Sequence, residues 1–244
     1  LWNLVWRNLT VRYKRSAIGF LWTMLNPIIM TVVYAIVFAT IFRFGTQDFV
    51  IYFLSGFLVW NFFAQSTADA SQCIISSGSL IKKVYVPKEV FVLSTVISNL
   101  INMAFAMIPL MVLMVVLGKG INLSIIFLLP VMVLVTVFTS CISLTIASMT
   151  VFFHDIGEIY RVLLTPWMFL TPIIYPMNII PEHYAPFFKF NPMYHFVECF
   201  RAPLYTGVAP EYSMMVVSAI FAGFSLLIGY YMFKRSEDSF IYHV

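Results

Sequence analysis

The charged residues of this chain fall in clusters, and between them run apolar stretches far longer than one face of a soluble helix requires. No charge occurs in 16–42, 49–68, 90–117 or 121–153. A helix needs about 20 mostly apolar residues to cross ~30 Å of hydrocarbon at ~1.5 Å per residue. The pattern therefore predicts six spans, over 18–42, 49–69, 90–117, 123–152, 158–176 and 212–233. The fifth is the weakest, because its charge-free core starts only at Val162 and has to reach back over Ile159 and Tyr160. Prolines at 27, 109, 130, 166 and 172 lie in or beside these windows, where neighbouring helices must satisfy the carbonyls they free.

Three segments outside the spans have patterns of their own. Residues 1–15 place Trp2, Val5, Trp6, Leu9 and Tyr13 on one helical arc and Asn3, Arg7, Thr10 and Lys14 on the other, with Arg12 intruding on the apolar side. Such a helix is expected to lie in the membrane interface. Residues 76–89 join an apolar run, Leu80-Ile81, to Lys82, Lys83 and Lys88 and end on Pro87-Lys88-Glu89, more than a plain connector needs. Residues 177–211 hold prolines at 181, 186, 192, 203 and 210 and are too aromatic for a solvated loop. Their two short helical segments, 182–190 and 193–205, are expected to be re-entrant and to form a plug or gate. Glu198 and Arg201, three apart, can pair on one helical face.

Composition strengthens the membrane reading. Of 244 residues, 61% are hydrophobic and 10% charged, and the mean hydropathy is +0.94. That is too little charge for a water-soluble surface, which excludes a soluble enzyme, a nucleic-acid-binding domain and a disordered tail. With six spans both termini share a side, and that side carries Arg7, Arg12, Lys14, Arg15, Lys82, Lys83, Lys88, Arg161, Lys234 and Arg235. The other side has only Arg43, Lys119, Lys189 and Arg201, so the termini are expected in the cytoplasm. The first fifteen residues hold four bases and no long apolar core, unlike a cleavable signal, and a start at Leu1 implies residues ahead of it.

Candidate chemistry is sparse. Cys73, Cys141 and Cys199 are isolated, and His154, His183, His195 and His243 are scattered, so no disulfide framework or metal site is expected. There is no P-loop, no His-Glu-x-x-His and no Gly-x-Ser-x-Gly. Ion-driven carriers place acids or His in mid-membrane, but the polar residues within spans here are neutral: Asn26, Asn61, Gln65, Asn99 and Asn102. Asn99 and Asn102, at i and i+3, are read as ties between helices. Asp69, Asp155 and Glu158 fall near cytoplasmic ends. An energy source must come from outside the chain if it transports anything.

Four stretches together resemble a known family: Trp6 to Ser16 with Gly19-Phe20-Leu21-Trp22 and Asn26-Pro27; Leu80 to Glu89; Phe152 to Gly157 leading to Pro172-Ile173-Ile174-Tyr175-Pro176; and Asn191-Pro192 continuing to Phe200-Arg201. The chain is similar to the membrane-spanning permease subunit of type-2 ABC exporters of lipid-linked polysaccharides, of the O-antigen, teichoic acid or capsule type. The resemblance implies an all-α integral membrane fold with six transmembrane helices, an N-terminal interfacial helix, and short re-entrant helices between spans five and six. It also implies a homodimer in the bacterial inner membrane, paired with two copies of a separate ATPase subunit that holds ATP and Mg, while this chain binds no cofactor or nucleic acid.

By the same resemblance, Leu80, Lys82, Lys83, Tyr85, Pro87, Lys88 and Glu89, together with the N-terminal interfacial helix, contact the ATPase. Residues 177–211 form the external gate, through Tyr184, Phe187, Phe188, Tyr194, Glu198 and Arg201. The substrate implied is an undecaprenyl-diphosphate-linked glycan, whose phosphates Arg7, Arg12, Lys14 and Arg15 attract at the interface. Its sugars would slide along interchangeable aromatic contacts at Tyr34, Phe38 and Phe42, spaced four apart on the first span, and at Trp167 and Tyr175 on the fifth. A type-2 exporter of a drug or simple lipid would share the fold. An integral-membrane enzyme acting on a lipid carrier would need clustered His, Asp or Glu, and a membrane scaffold would need no chemistry.

Overall fold

The computed structural model describes residues 1–13, 46–83, 86–120 and 122–240, with Leu25, Ile29 and Val33; the side chains of 11–13 and 46–48 are not described. Apart from those three residues the expected first span, with Tyr34, Phe38 and Phe42, lies outside the described residues, as do Lys14, Arg15, Tyr85 and the side chain of Arg12.

Every described element is helical. They are α1 (Trp2–Tyr13), α2 (Thr46–Ser76), α3 (Glu89–Val116), α4 (Leu128–Phe152), α5 (Asp155–Phe169), α6 (Pro192–Arg201) and α7 (Tyr212–Ser236). Single helical turns at Gly78–Ile81 and Ala185–Lys189 and tighter or wider turns elsewhere complete them. Among the described residues, four stretches are long and apolar enough to cross a membrane: Phe49–Ser76, Glu89–Val116, Leu123–Phe152 and Tyr212–Ser239. They coincide with the windows expected at 49–69, 90–117, 123–152 and 212–233.

The window 158–176 does not hold one continuous helix. α5 starts earlier, at Asp155, and ends at Phe169, so its 15 residues span roughly 22 Å at ~1.5 Å each. The cause is local: Pro172 has no amide proton and disfavours helical backbone at Thr171, and the chain bends through 171–175. The expected loop 76–89 is likewise shorter. α2 continues to Ser76 and a turn follows at Gly78–Ile81, leaving 82–83 and 86–88 as its described non-helical residues.

α2 is the central helix, packed on α3, α4 and α6. Its aromatic side forms the core: Phe63 lies 5.7 Å from Phe138 of α4, which lies 5.0 Å from Phe196 of α6. α7 packs on α4 by a different means. Its buried positions are Ser218, Ala222, Ser225, Gly229 and Phe233, four of them small, so the two backbones approach closely. α3 ends in a Schellman motif, with Lys119 N–H on Met114 O at 2.9 Å and Gly118 N–H on Val115 O at 3.1 Å around Gly118 at φ +75°.

α1 lies against α3. Val5 is 1% exposed, its carbonyl accepts from Ser98 Oγ at 3.4 Å, and Asn8 donates to Ser94 at 3.5 Å. Trp2 and Trp6 are 64% and 66% exposed. The apolar arc is thus divided: Val5 faces protein, and the two indoles are turned away from it, free for an interface.

Candidate functional site

At the end of the bundle away from 76–89, the short helices between prolines are held by two polar side chains. Asn191 caps α6, accepting from Met193 N–H at 3.1 Å, ahead of Pro192 at the first helical position. The same oxygen accepts the indole N–H of Trp167 at 3.0 Å, and the amide nitrogen donates to Leu170 O at 3.0 Å and Thr171 Oγ1 at 2.8 Å. One side chain thereby fastens the start of α6 to the end of α5. Asn191→Ala should cost about 1–3 kcal/mol, because buried partners lose their bonds, and Asn191→Asp should keep the acceptor half. The midpoint of thermal unfolding of the solubilised protein measures both.

Arg201 ends α6 and is the largest fully buried side chain, 2% exposed. Its guanidinium pairs with Glu198, donates to Pro172 O at 3.1 Å, Ile173 O at 3.4 Å and Tyr52 O at 3.2 Å, and stacks 3.6 Å over the Tyr52 ring. Tyr52 OH in turn donates to Tyr175 O at 3.1 Å. The bend at 171–175 has few backbone bonds of its own, so these donors serve carbonyls that would otherwise be buried unpaired. Gly56 makes room: a Cβ there would sit 2.6 Å from Arg201 Nη2.

The segment expected as a gate therefore divides. Tyr194, Glu198 and Arg201 belong to the anchored helix α6, with Tyr194 buried. Tyr184 and Phe187 stand out, exposed, and Phe188 packs edge-on to Tyr175 at 6.5 Å. Trp167 is half-buried, edge-on to Trp60 at 6.1 Å and to Phe63 at 5.1 Å, and Tyr175 donates to Phe169 O, so both rings are structural members of this corner.

At the opposite end, Lys82, Lys83 and Pro87 are exposed and Leu80 is half-buried. Lys88 and Glu89 are engaged within the chain, with Lys88 donating to Glu237 O and Glu89 3.4 Å from Lys234. Arg7 is exposed at the rim of a polar cavity of about 590 Å³ between α1, α2 and α3, which Asn8, Asp69, Gln72, Asn99 and Asn102 also line. Asn99 donates to Asp69 at 3.1 Å and Asn102 to Asn99 at 3.4 Å, the tie expected between helices, with Asp69 as the partner that the sequence reading did not name.

Asn61 and Gln65 share their helix face with two further polar residues. Asn61, Gln65, Gln72 and Ser76, spaced 4, 7 and 4, share one face of α2, and Gln65 is exposed within a membrane-length helix. Amides at that depth are costly against lipid and belong against water or another polar surface. The 3.6-residue period was the available signal.

Membrane-length helices, with exposed lysines at one end and short anchored helices at the other, make the described residues those of a helical membrane protein. The profile of the ABC-2 type transporter family matches residues 1–205. The chain belongs to that family. It is 30% identical over 98% of its length, and 92% of the relative's, to the O-antigen export system permease protein RfbA of Myxococcus xanthus. It is 24% identical to the Klebsiella pneumoniae protein of that name over 96% of this chain and 90% of the relative. It is 22% identical to the polysialic acid transport protein KpsM of Escherichia coli over 96% and 92%.

Proposed function

We propose that this chain is the permease subunit of an ATP-driven exporter that moves an undecaprenyl-diphosphate-linked polysaccharide, an O-antigen, across the bacterial inner membrane. The observation that carries the reading is the near full-length similarity to an O-antigen export permease at 30% identity. Two copies of the chain enclose the path at a two-fold axis, which a bundle of this size alone would enclose poorly. A separate ATPase binds at the 76–89 loop, where exposed Lys82, Lys83 and Pro87 offer charge and a rigid turn. The lipid diphosphate gathers at Arg7, Arg12, Lys14 and Arg15. The sugars pass along the amide face of α2 as well as aromatic rings, since hydroxyls need hydrogen-bonding partners that do not hold them tightly.

The deciding experiment is co-purification with an ATPase subunit, followed by ATP hydrolysis in proteoliposomes given linked glycan, free glycan or undecaprenyl diphosphate alone. Stimulation by the linked glycan is the expected result; an ATPase that fails to associate, or is indifferent to glycan, overturns the reading. Replacing Lys82, Lys83 and Tyr85 together should abolish association while the membrane part still elutes as a single species. Asn61→Leu with Gln65→Leu should cut export about tenfold with assembly unchanged, the scale expected when polar partners of a polar substrate are removed. Unaltered export by that double variant would remove α2 from the path.

A further inference from the structure

The chain between Ile81 and Lys88 is fastened at both ends, before it to an apolar cluster that includes Phe240 and after it to the turn at Glu237. Before it, Ile81 borders an apolar cluster of Ile74, Val92, Leu144, Val151, Phe233 and Phe240. Phe240 is 0% exposed, 5.4 Å from Phe233 and 5.9 Å from Phe152. After the loop, Lys88 donates to Glu237 O and lies 5.7 Å over the Phe240 ring. Lys234 is shared between Glu237 at 2.9 Å and Glu89 at 3.4 Å. The last turn of α2, the first turn of α3 and the ends of α4 and α7 are therefore tied in one knot, with Phe240 as its wedge.

The two kinds of contact differ in what breaking them costs. The ionic ones are partly exposed and weak. Glu89 Oε2 has no hydrogen-bond partner among the described residues, and Lys234 keeps Glu237 if Glu89 leaves. The aromatic wedge has no such substitute. A displacement of the chain between Ile81 and Lys88 finds little slack, because only six residues separate these two anchored positions. It is passed to the end of α7, whose backbone at Gly229 is in close contact with α4.

We propose that the turn Lys234–Phe240, with Phe240 as the positioning residue, transmits movement of the 82–88 loop to α7 and α4. This rests on the reading that an ATPase docks on that loop. The turn then sets how strongly hydrolysis and transport are coupled and leaves the strength of docking unchanged.

The test uses the whole exporter, this chain with its ATPase, in proteoliposomes. Phe240→Ala should leave the ATPase bound and basal hydrolysis unchanged, while glycan-stimulated hydrolysis and export fall about tenfold, a size usual for coupling between sites. Lys234→Gln, a half-exposed change that spares the wedge, should lower the same ratio about threefold on the same scale. Cysteines flanking the Lys88–Glu237 contact, Val86→Cys with Asp238→Cys, joined by a reducible bis-methanethiosulfonate linker, should restore coupling to Phe240→Ala, and reductant should remove it again. A mere packing defect would not respond to the linker. Wild-type stimulation in Phe240→Ala overturns the proposal, as does failure of the linker to restore it. If Phe240→Ala does not elute as a single species, an unchanged ratio in Lys234→Gln overturns it alone. Absence of ATPase from the unaltered complex would instead refute the docking reading.

Discussion

Arg201→Ala is expected to destabilise the protein by about 3–5 kcal/mol, the cost of breaking a buried ion pair from one side. The substitution leaves Glu198 beside an apolar core and removes donors from the carbonyls of Tyr52, Pro172 and Ile173. It also strips the cation from the face of Tyr52. Arg201→Lys should recover only part of the loss, since an ammonium keeps the charge but cannot serve Glu198, three carbonyl groups and the ring at once. Gly56→Ala should act in the same direction: its Cβ would meet Nη2 at 2.6 Å, and a guanidinium held by several partners has nowhere to retreat. Thermal unfolding of the solubilised protein gives the size. Wild-type stability of Arg201→Ala would mean that the guanidinium does not hold the corner between α2, the 171–175 bend and α6.

Gly229→Leu should be almost as damaging, by about 3 kcal/mol, at the upper end of overpacking costs. A Cβ at 229 would lie 2.5 Å from the carbonyl oxygen of Cys141 and 3.0 Å from its Cα, and backbone cannot give way as a side chain can. α4 and α7 would have to separate along the contact that Ser218, Ala222 and Ser225 also keep close. Gly223, one and a half turns away on the same helix, is the control. Among the described residues nothing lies within 4 Å of its Cβ position, so Gly223→Ala should be neutral or stabilise by about 0.5–1 kcal/mol. Equal melting temperatures for Gly229→Leu and Gly223→Ala would refute the close approach.

Much of the architecture is legible from the residues because entry into a bilayer is decided along one dimension. A charge in hydrocarbon is so costly that four charge-free windows coincide with the four membrane-length helices. Prolines at 186, 192 and 203 mark the short helices after α5 for a similarly local reason: each removes a backbone donor at a fixed place. The pairing of Glu198 with Arg201 needs only helical spacing and was readable as well. The family followed from the order of several short motifs along the chain.

The partners across helices are a different matter. Arg201 meets Tyr52, 149 positions away; Lys88 meets Glu237, at the same separation; Asn99 meets Asp69; and Trp167 meets Asn191. Trp167 and Tyr175 were assigned to a glycan wall as aromatic residues on one span, but their ring contacts and hydrogen bonds depend on α5 stopping at Phe169 and on where the next ten residues return. Lys88 and Glu89 read as free docking charges until the C-terminal turn is laid beside them. Lipid and protein are equally apolar to a membrane helix, so hydrophobicity fixes that a segment crosses but leaves its rotation and depth open. The sequence by itself determined four segments that are long and apolar enough to cross a membrane, the prolines that break the short helices, and the family to which the chain belongs. Only the tertiary structure decided which polar atoms meet, because close packing of small residues and the satisfaction of buried hydrogen bonds are properties of helices already side by side.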